Sequence, residues 1–111
     1  MEHYDIVVIG SGSGNTILDE EFADRRAAII DSGTFGGTCL NVGCIPTKMF
    51  VLPADLATSP SEAAKLGVRL QFRGASFTSI RDRIFGRIDP ISRSGLEYRQ
   101  GLENIDVYTD E

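Results

Sequence analysis

The sequence predicts an α/β fold with a parallel sheet, and three apolar runs lead to that prediction. The run YDIVVI at residues 4–9 is rich in β-branched side chains and leads into the glycine-rich turn GSGSGN. The run AAII at residues 27–30 and the run NIDVYT at residues 104–109 follow segments with helical character. Short apolar runs that alternate with helices are typical of parallel strands linked by right-handed crossovers.

The segments between these strands are assigned from periodicity and turn residues. Apolar side chains recur at near-helical spacing among charged residues after the first glycine turn, and again before the third strand. In chain order, the sequence predicts a surface helix at residues 15–26, a loop at 32–37, an interrupted helix at 38–57, a short connector at 59–67 and, after an ambiguous stretch at 68–79, a last helix from about residue 80.

The last predicted helix carries an apolar stripe that indicates its buried face. Isoleucine recurs at positions 80, 84, 88 and 91, with Phe85 beside the stripe. Pro90 cannot donate a backbone hydrogen bond, so we expect this helix to kink or break near residue 89. Pro53 gives the same expectation of a kink in the preceding helix. A sheet of three strands leaves apolar faces uncovered, and we therefore expect an incomplete domain.

Composition excludes several classes of function. The chain has 111 residues, 41% of them hydrophobic, and its 11 Lys and Arg against 16 Asp and Glu give a net charge of −5. Such a balance indicates a globular protein and disfavours nucleic-acid binding, which needs clustered basic residues. No apolar run approaches the roughly 18–20 residues of a membrane span, and the acidic N-terminus lacks the basic start of a signal peptide. We therefore expect a cytoplasmic protein that binds neither nucleic acid nor membrane.

The glycine loop predicts dinucleotide binding. Gly10 makes the tight turn and Gly12 lets the backbone approach a pyrophosphate, but Asn15 stands where the G-x-G-x-x-G pattern has its last glycine after Gly14. We expect the following helix to sit slightly further from the sheet and to keep its phosphate site. Asp31, at the end of the second strand, is placed to accept hydrogen bonds from a ribose 2′-hydroxyl. An ordinary glycine turn is the alternative, and the loop alone leaves NAD and FAD both open.

The two cysteines of the chain, Cys39 and Cys44, are spaced for a reactive pair. On a regular helix, residues five apart point about 140° away from each other, whereas a disulfide needs Cα atoms roughly 4.4–6.8 Å apart. Pairing therefore requires a distorted turn. Gly43 frees the backbone and Pro46 removes a helical hydrogen bond, so the sequence contains such a distortion.

Reactive thiols are favoured over the other uses of these cysteines. A helix N-terminus and the nearby Lys48 both favour thiolate, which suits a dithiol that cycles with its disulfide. Two inert buried cysteines are one alternative. A zinc site is another, but zinc needs about four ligands, and beyond the two cysteines the chain offers only the distant His3, which we interpret as a surface residue. No metal is predicted.

Together, VVIGSGSGN and GGTCLNVGCIPTK closely resemble the flavin-dependent pyridine nucleotide–disulfide oxidoreductases, over essentially the whole chain. Within that family, TCLNVGCIPTK would equally suit the dihydrolipoamide branch, which usually has Ser where this chain has Thr47. GSGSGN with Asn15, and RIFGRIDPISRSGLEYR at residues 83–99 followed by NIDVY, are more similar to the mycothione-reducing branch. The resemblance implies a Rossmann-like FAD-binding domain, of which residues 1–111 form the N-terminal part.

The resemblance also implies a role for each site residue. Cys39 would be the interchange thiol that attacks the substrate disulfide, and Cys44 the charge-transfer thiol next to the flavin. Lys48 would lie by the flavin N5 region and stabilise negative charge on the reduced ring; a solvated helix lysine is its alternative. The residues expected to contact FAD are Gly10, Gly12, Ser13, Gly14, Asp31, Ser32, Gly37, Thr38, Cys44 and Lys48.

The function implied for the parent protein is electron transfer from NAD(P)H, through FAD and the Cys39–Cys44 disulfide, to mycothione, giving mycothiol. Such proteins are homodimers with NAD(P)H-binding and dimerisation domains, which we expect to be absent here; the segment alone is then inactive and binds FAD weakly or not at all. Dihydrolipoamide dehydrogenase-like and glutathione reductase-like activities are alternatives. So are a small NAD-binding module and a flavin-free thiol switch.

Overall fold

A computed structural model describes residues 1–110 of the chain. Three strands and three α-helices alternate with two short 3₁₀ segments. In order, these are β1 at Ile6–Ile9, 3₁₀ segments at Ser13–Ile17 and Glu20–Phe22, β2 at Ala27–Ile30, α1 at Gly37–Asn41, α2 at Cys44–Lys65, α3 at Phe77–Gln100 and β3 at Ile105–Tyr108.

The three strands form one parallel sheet in the order β1-β2-β3, as the three apolar runs predict. Val8 pairs with Ile29, and Ile29 pairs with Val107, so the strands are in register across the sheet. Alternate residues point to opposite faces of a strand. One face carries Val8, Ile29 and Ile105 into a core shared with Leu18 and Phe35. The sheet therefore holds the loops after β1 and β2 side by side.

The predicted helix at residues 15–26 is wrong. Its place is taken by the two 3₁₀ segments. Polar side chains bond locally here: Thr16 donates to the Ser13 carbonyl, the Asn15 amide to the Gly12 carbonyl, and Asp19 accepts from the Glu21 N–H. Such bonds compete with the α-helical ladder, and the short crossover settles into tight turns instead.

The helices continue through their prolines, so the break expected near residue 89 does not occur. α2 continues through Pro53 and Pro60 to Lys65, well past the expected end at residue 57, and α3 continues through Pro90 to Gln100. Each proline removes one backbone bond, while tertiary packing supplies most of a helix's stability. In α3, the isoleucines at positions 84 and 88 are fully buried, as the stripe predicts, whereas Ile91 stays 51% exposed.

The molecule is elongated, with principal extents of 69 × 26 × 19 Å and a radius of gyration of 20.3 Å, against about 13 Å for a compact domain of this length. α2 and α3 pack together as a long pair, with the rings of Phe50 and Phe77 stacked 5.8 Å apart. Large apolar side chains such as Ile9, 87% exposed, remain uncovered. No helix in residues 1–110 has the length and apolarity needed to cross a lipid bilayer.

Candidate functional site

The two cysteines form a disulfide across a break between helices. α1 ends at Asn41 and α2 begins at Cys44, so that Cys39 and Cys44 lie on different helices with their Cα atoms 4.7 Å apart. This distance lies within the normal range for a disulfide, about 4.4–6.8 Å. The predicted distorted turn and the predicted pairing are both confirmed.

Gly43 makes the break possible through its missing side chain. A Cβ at this position would lie 2.8 Å from the Thr38 carbonyl oxygen and 3.1 Å from the Cys39 Cα. The chain therefore folds back onto the first residues of α1 more closely than any side chain allows. Pro46 is buried in the first turn of α2, where an N–H has no intrahelical acceptor, so it fits the new helix without loss.

The glycine loop after β1 is fastened to the end of β2 by Asp31. One carboxylate oxygen of Asp31 accepts hydrogen bonds from the Ser11 N–H and the Ser11 hydroxyl, and the other accepts from the Gly33 N–H at 2.8 Å. These bonds, chiefly that of the Ser11 hydroxyl, lower the pKa of Asp31 below its usual value. The carboxylate is therefore ionised at neutral pH and ties the two loops together.

The backbone of the first glycine loop packs directly against the backbone at the start of α1. A Cβ on Gly37 would lie 2.5 Å from the Gly12 Cα, and Gly37 also has a positive φ of 75°. Only glycine meets both requirements. The Asn41 side chain donates to the carbonyls of Phe35 and Gly37, which holds this second loop in place.

An open cleft of about 560 Å³ lies between the two glycine loops. Most of the predicted cofactor residues line it. They are Gly10, Gly12, Ser13, Gly14, Asp31, Gly37 and Thr38. Ser32 does not line this cleft, and neither do Cys44 and Lys48, which lie on the first turns of α2 beyond the loop.

Several residues that hold the loops of the site in place do not belong to a recognisable sequence motif. Ser11 is buried against Asp31, Ser92 on α3 donates its hydroxyl to the Phe35 carbonyl, and Arg99 reaches the carbonyls of Asn15 and Leu18. Their acceptors are mostly backbone oxygens, which a sequence pattern does not reveal. One signal was available for Arg99: it lies three turns after Ile88 on the buried face of α3.

Known proteins are similar to this chain in sequence and in fold. Mycothione reductase from Mycobacterium tuberculosis is 56% identical over 108 residues, which is 97% of this chain and 24% of that protein. Dihydrolipoyl dehydrogenase from Bacillus subtilis is 30% identical over 96% of this chain and 23% of its own length. Glutathione reductase from Yarrowia lipolytica is 31% identical over 93% of this chain and 24% of its own length. No protein-family model matches the chain.

A solved structure with the same fold is the Cu(II) complex of the HOCl-induced flavoprotein disulfide reductase RclA from Escherichia coli. It superposes with a TM-score of 0.70 and 26% identity, over 95% of this chain and 21% of that one. The chain thus spans about a quarter of the length of the curated relatives it matches. By sequence and by its partial Rossmann-like FAD-binding fold, the chain belongs to the flavoprotein disulfide reductases, as the counterpart of about a quarter of a mycothione reductase.

Proposed function

We propose that this segment belongs to a cytoplasmic, homodimeric reductase that transfers electrons from NAD(P)H, through FAD and the Cys39–Cys44 disulfide, to mycothione. The observation that carries the proposal is the disulfide itself. It spans the break before α2 and lies directly after the loop that closes the glycine cleft. Both cysteines are exposed, so a small disulfide can reach them.

The residues of the cleft fit FAD. The first turn of the 3₁₀ segment leaves the N–H groups of Ser13 and Gly14 without intrahelical acceptors, and a pyrophosphate can accept them. A Cβ on Gly14 would meet no atom within 4 Å, so the protein's own packing does not demand glycine there. Asp31 Oδ1 accepts only the Gly33 N–H from the described residues, which leaves it capacity for a ribose hydroxyl.

Bound FAD would supply the two electrons, taken from NAD(P)H, that open the Cys39–Cys44 bond. The Cys39 thiolate then attacks one sulfur of mycothione, which forms a mixed disulfide and releases one mycothiol. Cys44 attacks the Cys39 sulfur, restores the protein disulfide and releases the second mycothiol. Two electrons and two protons are consumed in each cycle.

The positions of the two thiols support this division of roles. Cys44 is the first residue of the 22-residue helix α2, where the helix N-terminus favours a thiolate. Lys48, exposed on the next turn, adds a positive charge on the same side of the break. Cys39, but not Cys44, lines a second groove together with Leu40, which gives an incoming disulfide access to its sulfur.

The test uses the full-length polypeptide that contains this segment, beginning with its intact mass from the source cell. A mass several times 12.1 kDa fits a complete reductase, and a mass near 12.1 kDa contradicts the proposed activity. Reduction of mycothione by NADPH and by NADH is then compared with reduction of lipoamide and glutathione disulfide. Faster turnover of lipoamide than of mycothione would contradict the substrate assignment.

Two variants separate the roles of the thiols. Cys44→Ser should accumulate one mycothiol on Cys39 as a mixed disulfide, visible by mass spectrometry, because the resolving thiol is missing. Cys39→Ser should form no such adduct. Both variants should still pass electrons from NADPH to an artificial quinone, which needs no cysteine and so serves as the internal control. An adduct on Cys44 in the Cys39→Ser variant would reverse the assignment.

A further inference from the structure

Arg99 is buried without a carboxylate partner among residues 1–110, which is unusual for a cation. Its side chain lies on the inner face of α3 and is 8% exposed. Its Nη1 donates to the Leu18 carbonyl at 2.7 Å, its Nη2 to the Asn15 carbonyl at 2.7 Å, and its Nε to the Asn15 side-chain oxygen at 3.0 Å. A buried charge is costly unless it is hydrogen-bonded, and three acceptors on one short segment meet that requirement.

The acceptors belong to the segment that carries the glycine loop. Asn15 lies directly after Gly14, and its side-chain amide donates back to the carbonyls of Ser11 and Gly12. Asn15 thus joins two sets of contacts: its amide nitrogen holds the loop, and its two oxygens are held by Arg99. No α-helix stiffens this crossover. The orientation of the loop N–H groups therefore depends on this chain of hydrogen bonds.

We propose that Arg99, acting through Asn15, is a positioning residue for the dinucleotide phosphate site. It does not line the glycine cleft, and its hydrogen bonds go to Asn15 and Leu18 and not to a residue expected to contact FAD. It fixes the residue next to Gly14, and so sets where the N–H groups of Ser13 and Gly14 point. This inference rests on the proposed binding of FAD. It also explains why Asn15 stands where the glycine pattern has a glycine, because a glycine there would leave Arg99 without its side-chain acceptor.

The test measures the dissociation constant for FAD by flavin fluorescence on the full-length apoprotein. Arg99→Met should weaken FAD binding by at least about tenfold, equivalent to about 1.4 kcal/mol. Arg87→Met, at an exposed position of the same helix, is the matched control and should bind as the parent does. Absence of FAD binding by the parent protein would refute the proposed function. Parent-like binding by a folded Arg99→Met variant would refute only the role of Arg99.

Asn15→Gly restores the glycine pattern and tests the same contact from the other side, even where Arg99→Met fails to fold. It should also weaken FAD binding, and the loss in the double variant should be smaller than the sum of the two single losses, because Arg99 acts through Asn15. Strictly additive losses would overturn the proposal. The midpoint potential of the Cys39–Cys44 pair, measured without FAD, should stay unchanged in each variant. A shift would indicate general loosening of the fold and would also overturn it.

Discussion

Gly43→Ala tests whether the close approach at the helix break controls the redox pair. The added Cβ would lie 2.8 Å from the Thr38 carbonyl oxygen and 3.1 Å from the Cys39 Cα, and both neighbours are backbone atoms that cannot rotate away. The break must therefore open. The dithiol form has no covalent bond across the break to resist this opening, whereas in the disulfide form the bond holds the two Cα atoms 4.7 Å apart. The substitution should thus destabilise the oxidised form more than the reduced form.

The size of the effect follows from the cost of overpacking. Forcing a methyl group into a closely packed site costs about 1–3 kcal/mol. For a two-electron couple, about 1.4 kcal/mol corresponds to about 30 mV, so the Cys39–Cys44 potential should rise by about 20–65 mV. The variant becomes the more oxidising pair, and it should be reduced by dithiothreitol at a less negative buffer potential.

The assay equilibrates protein in dithiothreitol buffers of graded potential, traps free thiols by alkylation and reads the two cysteines by peptide mass spectrometry. Gly86→Ala is the matched control: it lies within α3, where an added Cβ would meet no atom within 4 Å. It should leave the potential unchanged and increase stability by up to about 1 kcal/mol through helix propensity. An unchanged or lower potential in Gly43→Ala would refute the steric account of the break.

Three further predictions concern the loops and the sheet. Gly37→Ala places a Cβ 2.5 Å from the Gly12 Cα at a positive φ, so its free energy of unfolding should fall by at least about 2 kcal/mol in urea; a smaller loss would contradict the packing of the two loops. The pKa of Asp31 is lowered in the folded protein, so the ionised carboxylate stabilises the fold above the unfolded pKa of about 3.9, and this stabilisation is lost as the pH falls through the folded pKa. Asp31→Asn should therefore reduce the loss of stability in acid. An unchanged loss would show that other carboxylates cause it. Tyr4→Phe removes the hydroxyl hydrogen bond that is the main cause of the low pKa of Asp106, so an NMR titration should find that pKa raised.

The parts of the fold that could be predicted are those encoded within a few neighbouring residues. The strands followed from apolar runs, and the cysteine pair from Gly43 and Pro46 beside it, since these residues are separated by single turns of chain. The position of the helix break was predictable, and backbone freedom at Gly43 was the expected reason. The structure adds a steric reason that was not predictable, the contact with Thr38. A contact of that kind exists only once the two helices have met.

Other parts could not be predicted because their partners are distant in sequence or lie on the backbone. Ser92 bonds the Phe35 carbonyl 57 residues away, and carbonyl oxygens carry no sequence signal. The expectation of a helix break at Pro90 was wrong for the opposite reason. Local rules predicted a kink at Pro53 and a kink or break at Pro90. α3 nevertheless continues through Pro90, because Ile84 and Ile88 are buried before it and Ser92 and Arg99 are buried after it.

The absence of an α-helix after β1 and the burial of Arg99 are structurally connected. In an α-helix, the carbonyls of Asn15 and Leu18 would accept bonds from N–H groups four residues further on, and Arg99 would be buried without acceptors. In the observed crossover the guanidinium donates to both carbonyls, and the Asn15 carbonyl also accepts the Leu18 N–H within the 3₁₀ segment. A basic residue on the buried face of a helix, with no acidic residue to pair with it, therefore indicates that backbone carbonyls of another segment accept its hydrogen bonds. Applied to this sequence, that inference disfavours an α-helix at residues 15–26.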